Sequence, residues 1–530
     1  MSFISLAFLI FLFIVLVVYY IVPKKYQWIV LLLSSFIFYA WASIWYVLFL
    51  LFSIISIYLI ALNIGKIEER VEQECESVDK DQKKAIKLRF GKKKKALVAL
   101  GIILNLCVLI VVKYLNFICS NVVDLLNKFS LSISFTSFNL ILPLGLSFYT
   151  FQSIGYLIDV YRGMAKPQKN IFKYALFVSY FPQLLQGPIG RYNDLSTQLY
   201  EPHYLNIDNM YIGFQRMVLG FFKKIAIADM LSIVVNPIFN NPISAYGIIG
   251  ILGAVLYALQ LYADFSGFMD ITIGCSKMLG IQIQENFNKP YLSKSISEYW
   301  RRWHITLGAW FRDYVYYPLF RTKAISKLMK GKHRKITSKI ATVICLLITW
   351  VLIGFWHGAN WTYILHGTYY GVVISIGVLL EPVNSLIRNK LKLDNKKWFS
   401  IVQIIRTFAI VCFGYILFNS SSLSAFGEYV QALFTHSGIK ALLNNENEII
   451  QLLNLSWVYV AYLGIVFVVW NQAAHVSNQL VKINTLENIS SSWKIKYVFL
   501  ISILIFISLA AYIYLSSLGI ATGGFIYYEF

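Results

Sequence analysis

Long apolar runs separated by short polar breaks dominate this chain. A helix needs roughly 20 apolar residues to cross the hydrocarbon of a bilayer. Runs of about that size cover 3–22, 28–43, 46–62, 96–112, 139–160, 246–263, 340–356, 361–380, 400–418, 455–471 and 497–516, each predicting a spanning helix. Only Lys24, Lys25 and their neighbours separate the first two, so these form a tight hairpin. Residues 2–21 are expected to be a span rather than a signal peptide: the apolar core is too long, no Lys or Arg precedes it, and Lys24 and Lys25 follow. Between Arg162 and Arg321 the pattern breaks up. The run 174–187 is short, and 211–239 is interrupted by Lys223, Lys224 and Asp229. Such pieces predict re-entrant or discontinuous helices, tolerated at membrane depth only where protein or a cavity surrounds them. That stretch is therefore the natural place for a site. The reading is an all-α polytopic membrane protein, with about eleven transmembrane helices plus re-entrant and interfacial helices.

Composition agrees. Of 530 residues, 58% are hydrophobic and 14% charged, too few charges to cover a water-soluble surface of that apolar content. The net charge of +22 is concentrated between apolar runs: 66–95 holds eleven Lys/Arg against seven Asp/Glu, and 321–339 holds eight with no acid. Basic loops of this kind stay on the cytoplasmic side, where some lysines meet anionic head groups. This excludes nucleic acid as a partner and makes the bilayer the first one. Alternation then puts Lys24/Lys25, the basic 63–95 loop, 321–339 and 381–397 inside. It puts 420–453, with Glu428, Glu446, Glu448 and Lys440, outside, together with both chain ends of a multi-pass plasma-membrane protein. Cysteines 75, 107, 119, 275, 345 and 412 show no paired spacing, so neither a disulfide framework nor a metal site is expected. No phosphate loop, dinucleotide fingerprint or fixed-period repeat appears.

Ionisable residues in apolar surroundings are costly and usually paired or functional. Three clusters qualify. The first is Tyr262-Ala-Asp264-Phe-Ser266-Gly267-Phe-Met-Asp270, read either as a helix end capped by Asp or as the polar wall of a cavity. The second runs Ser297-Glu298-Tyr299-Trp300-Arg301-Arg302-Trp303-His304. Here Ile296, Tyr299, Trp300, Trp303, Leu307, Trp310 and Phe311 form one helical apolar stripe with His304 at its edge, an interfacial helix. The third is Gly354-Phe355-Trp356-His357-Gly358-Ala359-Asn360-Trp361, at the turn of a hairpin whose far ends are basic. Each histidine alone also fits a structural role. Together they suit a passage entered from both faces, with His304 near the cytoplasmic side and His357 most of a helix length away. Neutral imidazole is the usual general base near pH 7, and acyl transfer to a hydroxyl needs one, plus oxyanion donors such as Asn360 or tryptophan indoles. Asp264, Ser266, Asn288, Arg301, Trp303, Trp356, Asn360 and Trp361 are candidates for the lining. His203, His333, His366, His436 and His475 lack comparable settings and read as structural or solvated.

Several stretches resemble a known family. Leu142-Pro-Leu-Gly-Leu-Ser-Phe-Tyr-Thr-Phe-Gln152, Phe181-Pro-Gln-Leu-Leu-Gln-Gly-Pro188 with Arg191-Tyr192, Glu285-Asn-Phe-Asn-Lys-Pro290, Tyr299-Trp-Arg-Arg-Trp-His304, Trp310-Phe-Arg-Asp-Tyr314 and Phe355-Trp-His-Gly-Ala-Asn-Trp361 resemble the membrane-bound O-acyltransferase (MBOAT) family, nearest its bacterial alginate O-acetylation branch. The resemblance runs over about residues 30–420. It implies one transmembrane domain over 1–530, with N-terminal helices 1–62, the basic loop 63–95, a catalytic core 96–420, and C-terminal helices and an outward tail from 421. It also implies a helix bundle around a central pore with a thin waist, His357 as the catalytic histidine and His304 as its upstream partner. The implied donor is a cytoplasmic acyl thioester (acetyl-CoA or an acyl carrier), with no permanently bound cofactor. The implied acceptor side is an extracellular or cell-wall polysaccharide, or an extracellular acetyltransferase-type partner protein. The ending Phe525-Ile-Tyr527-Tyr-Glu-Phe530 is similar to one in this branch whose tyrosine is proposed as an acyl relay, and Tyr527 matches that position; an aromatic anchor at the outer interface is the other reading. D-alanyl transfer to teichoic acid and a non-enzymatic polymer-export component are the alternatives.

Overall fold

In hydrocarbon a backbone must satisfy its own hydrogen bonds, and helices do so locally. The chain accordingly builds its regular structure from helices. The computed structural model describes residues 2–76, 78–140, 142–329, 334–394, 396–435, 462, 464–470, 491–520 and 524–526. Among these, the helices are α1 (Leu6–Ile21), α2 (Gln27–Ala40), α3 (Ile44–Glu76), α4 (Lys80–Lys128), α5 (Leu146–Tyr161), α6 (Ile171–Ser179), α7 (Phe181–Leu184), α8 (Tyr192–Tyr200), α9 (Ile207–Phe222), α10 (Met230–Asn240), α11 (Ile248–Met278), α12 (Ile296–Arg302), α13 (Ile305–Phe311), α14 (Tyr317–Phe320), α15 (Lys323–Leu328), α16 (Arg334–His357), α17 (Trp361–Lys390), α18 (Lys397–Asn419), α19 (Leu423–Thr435) and α20 (Ser491–Ser517). Strand pairing among the described residues is limited to one antiparallel bridge, Phe287 to Trp303.

Seven of the described helices are long and apolar enough to cross a membrane, against about eleven expected. The difference is mostly one of length. The first, second and fifth helices have 16, 14 and 16 residues, and at 1.5 Å per residue each falls short of a ~30 Å hydrocarbon layer. Most of the expected span 455–471 lies outside the described residues.

The basic stretch 63–95, expected as a loop, is helical among its described residues except at Val78 and Asp79. Helix α3 runs on to Glu76, and α4 restarts at Lys80, capped by Asp79, whose carboxylate accepts the Gln82 amide at 2.8 Å. Lys, Glu, Arg and Gln are strong helix formers, so charge there extends the two helices instead of ending them. A Lys94–Glu68 ion pair of 2.7 Å ties the extensions together. In the same way α17 continues through most of the predicted 381–397 loop, to Lys390.

The chain divides into two compact units, residues 1–210 with 275–284, and residues 211–274 with 285–530. In the first, α1 and α2 form the predicted hairpin around a 3₁₀ turn at Lys24–Tyr26. Phe3, Phe8, Phe38 and Phe181 cluster there, and α5 is buried over most of its length. In the second unit, the interrupted stretch 211–239 is continuous helical backbone: α9 passes through a π-helical segment, Lys223–Asp229, into α10. A π segment offsets the helix by a residue and often marks a functional region. Here it turns Lys223 and Lys224 inward, both buried. Small residues let α9 and α11 cross closely, since a Cβ at Gly220 would lie 2.6 Å from the Gly267 carbonyl oxygen.

Candidate active site

Every residue of the three sequence clusters falls in the second unit. The stripe 296–311 does not form one helix. It breaks into α12 and α13, with Trp303 extended (φ −110°, ψ 129°) and His304 left-handed (φ 48°, ψ 51°). A left-handed L-residue costs roughly 1–2 kcal/mol, so neighbours must hold it. The Glu285–Pro290 motif does so. Asn288 N donates to the Arg302 carbonyl at 2.9 Å, and Ile305 N donates to the Asn286 carbonyl at 3.0 Å. The fully buried Asn286 side chain then accepts from Thr306 N at 3.0 Å and from Thr306 Oγ1 at 2.9 Å through a single oxygen. Two separate motifs are thus one structural clamp around His304. The clamp is itself anchored, because Arg216 grips Glu285 with both terminal nitrogens (2.5 and 2.6 Å) and Asp270 through Nε at 3.0 Å. Ser295 caps α12 by accepting the Glu298 amide, and Glu298 returns to Lys294 N, close to a capping box.

Trp303 points into an aromatic wall. Its ring centroid lies 4.9 Å from that of Phe287, 5.8 Å from Tyr299 and 5.9 Å from Tyr415, and the Tyr299 and Tyr415 hydroxyls share a 2.6 Å hydrogen bond. His304 follows Trp303 in the chain. It is 1% exposed, edge-on to Phe265 at 4.9 Å and 5.9 Å from Trp356. Burial pushes its pKa down, favouring neutral imidazole.

His357 is the last residue of α16, and Trp356 stands 4.9 Å from it. Both imidazoles therefore pack against one indole. The expected spacing of most of a helix length is corrected: the break at Trp303–His304 and the end of α16 bring the rings to one place. His357 also meets Phe418 at 5.3 Å and His366 at 6.2 Å, and His366 meets Tyr370 at 4.9 Å. His366, read from sequence as structural, belongs to this cluster, buried at 3% exposure. Glycines allow the approach of α16 to α17. A Cβ on Gly367 would stand 2.3 Å from the Trp350 carbonyl oxygen, and one on Gly354 would stand 2.4 Å from that of Tyr363.

The remaining expected lining residues divide. Asp264 and Ser266 are buried. Asp264 lies mid-way along α11, which removes the helix-cap reading, and pairs with Lys224 at 2.8 Å. The Ser266 hydroxyl is buried without a hydrogen-bond partner among the described residues. Trp303 and Trp356 are buried, whereas Asn288, Arg301 and Trp361 are exposed. In the Glu285–Pro290 motif it is Asn286 that faces inward. Asn360 caps α17 through Thr362 N at 3.0 Å and donates to the Ser421 carbonyl at 2.9 Å, so both ends of its amide are engaged structurally. Trp300 Nε1 is a buried indole donor with no partner among the described residues. Tyr527 lies outside the described residues. Arg216, Lys224 and Asn286 carry the site's supporting bonds and were not singled out from sequence, although Lys224 was visible as a charge inside an apolar run. No group of three or more His, Cys, Asp or Glu among the described residues is arranged to hold a metal.

Beside the hairpin turn, a cavity of about 610 Å³ is lined by Asn236, Asn240, Asn419, Ser421, Ser422 and Glu428, among others. Asn419 directly follows Phe418, which packs on His357.

Residues 168–422, which contain both histidines, match the model of the membrane-bound O-acyltransferase family. The chain belongs to that family. It is 36% identical over 429 residues to a probable alginate O-acetylase of Pseudomonas syringae pv. tomato, covering 79% of this chain and 72% of the relative. It is 32% identical to a peptidoglycan O-acetyltransferase of Helicobacter pylori over 65% of this chain and 63% of the relative. It is also 32% identical to a teichoic acid D-alanyltransferase of Bacillus subtilis over 53% of this chain and 69% of the relative. The protein is a membrane O-acyltransferase, which sets aside the non-enzymatic export reading.

Proposed function

We propose that this MBOAT protein moves an acetyl group from a cytoplasmic thioester, acetyl-CoA or an acyl carrier, to a hydroxyl of an extracellular or cell-wall polysaccharide, directly or through an extracellular partner protein. The observation that carries the reading is the pair of buried imidazoles packed against the same indole, that of Trp356. His357 acts as general base: its ring nitrogen takes the proton from the attacking hydroxyl as that oxygen bonds to the thioester carbonyl carbon. The tetrahedral intermediate then collapses, the carbon–sulfur bond breaks, and the imidazolium returns the proton to the departing thiolate. His304, neutral and locked by the Asn286 clamp, positions the donor. The polar cavity beside Asn419 and Ser421, with amides, hydroxyls and one carboxylate, suits a polyhydroxylated acceptor. Read by the positive-inside rule, the basic ends of the α16–α17 hairpin support an outward-facing turn with this cavity beside it. Tyr527 is proposed as a relay, its hydroxyl carrying the acetyl group as an ester between donor and acceptor.

The acetyl reading is supported by relatives named as O-acetylases that cover more of the chain than the D-alanyltransferases do. D-alanyl transfer to teichoic acid remains the second reading on the Bacillus subtilis relative. Base-labile acetate and ester-linked alanine, each measured on envelopes with and without the gene, separate the two. For the mechanism, His357→Ala is expected to abolish transfer while the protein still inserts and folds. Full activity in that variant refutes the assignment.

A further inference from the structure

Residues 524–526 are held inside the second unit by charged groups that are themselves buried. Lys224 Nζ donates to the Gly524 carbonyl oxygen at 2.5 Å and sits 4.9 Å from the Phe525 ring centroid. Asp264 Oδ2 accepts the Ile526 amide at 3.0 Å. Phe525 is 1% exposed and stands edge-on to Phe268 at 5.0 Å. The receiving side chains of Lys224 and Asp264 are 3% and 0% exposed. Lys224 also pairs with Asp229 at 2.7 Å, so one ammonium serves two carboxylates. The second oxygen of Asp264, which the ion pair leaves over, is taken by the backbone of the segment. A buried ion pair is costly unless its remaining lone pairs and protons are also satisfied. Here main-chain groups on both sides of one aromatic anchor complete it, a combination that recognises an extended peptide.

We propose that Lys224, Asp264 and Phe268 form a receptor site for the chain's own C-terminal segment, and that docking of 524–526 is a positioning element for acyl transfer. Asp264 is followed directly by Phe265, whose ring packs on His304 at 4.9 Å. Emptying the receptor frees the carboxylate next to that wall and loosens the packing around His304. The effect on transfer rests on the reading of His304 and His357 above; the docking does not.

The test uses the full-length protein in lipid nanodiscs, with Ile526→Pro, which deletes the amide donor, and Phe525→Ala, which deletes the anchor. Thermal unfolding of both variants is read alongside, so that loss of docking is distinguished from loss of fold. Hydrogen exchange of the C-terminal peptide is read first. Protection in the wild type and exchange at least roughly tenfold faster in both variants is expected for loss of a buried, charge-assisted hold. Transfer is read second: kcat falls by roughly fivefold or more, with KM for the thioester unchanged. A wild-type C-terminal peptide that exchanges at free-chain rates, or equal protection in all three proteins, overturns the docking whatever the activity. Faster exchange with unchanged kcat overturns the positioning role. A wild-type protein inert toward every thioester refutes the proposed function, and the exchange result still decides the docking.

Discussion

Asn286 is the sharpest test of how the site is held. Its side-chain oxygen accepts two bonds from Thr306, at 3.0 and 2.9 Å, two residues after the left-handed His304. Replacing Asn286 with Ala leaves the Thr306 amide, on a residue only 3% exposed, without its acceptor. Such a buried orphan costs about 1–3 kcal/mol. The left-handed backbone of His304 independently disfavours the observed loop by roughly 1–2 kcal/mol. A loss near 2 kcal/mol shifts the loop equilibrium away from the clamped form by about 30-fold. We expect Asn286→Ala to lower kcat by roughly 10- to 100-fold, with expression and membrane insertion retained. Thr306→Ala removes one of the two bonds and keeps the amide bond. Its effect is expected to be about threefold to tenfold, since a single net hydrogen bond is worth around 1 kcal/mol. The assay is transfer from a radiolabelled thioester by purified protein in proteoliposomes, with thermal unfolding measured on the same samples. Unchanged kcat in Asn286→Ala, or Thr306→Ala as damaging as Asn286→Ala, refutes the idea that this amide sets the His304 loop.

Three further outcomes follow from the packing. Gly367→Ala forces a Cβ to within 2.3 Å of the Trp350 carbonyl oxygen, so the α16–α17 hairpin must open, at a cost of about 1–3 kcal/mol; lower thermal stability together with reduced transfer is expected, and wild-type values for both would contradict the crossing. Arg216→Lys keeps the charge but cannot grip Glu285 bidentately while also reaching Asp270; kcat is expected to fall severalfold, measured beside Glu285→Gln, which should reproduce the defect. Lys94→Ala breaks a pair whose Glu68 side chain is 47% exposed, so thermal stability should move by less than about 1 kcal/mol.

Hydropathy is a local quantity, and what it reports is local. The runs at 46–62, 246–263, 340–356, 361–380, 400–418 and 497–516 were legible because each needs only its own residues to be apolar, and each lies in a helix long enough to cross. Charge misled where it was taken as a helix breaker. The Lys-, Glu- and Gln-rich 63–95 stretch propagates α3 and α4 because these side chains suit a solvated helix surface. The candidate histidines were visible because they stand beside tryptophans and glycines in unusual strings. Their proximity was not, since the 3.6-residue period of 296–311 predicts one continuous helix and says nothing of a break at His304.

What the sequence determined by itself, then, is the solvent the protein lives in, most of its helices and the candidate strings for its chemistry. These follow from side chains and backbone meeting lipid or water one segment at a time. Tertiary structure alone decided that Asn286 clamps His304, that His304 meets the Trp356 indole next to His357, that His366 joins them, and that Lys224 and Asp264 hold residues 524–526. Each of these rests on a hydrogen bond or a ring contact between different segments of the chain. Lipid-facing helices carry no periodic signal for which buried faces meet, because in a bilayer helix partners are chosen by close packing and polar pairing rather than by hydrophobicity.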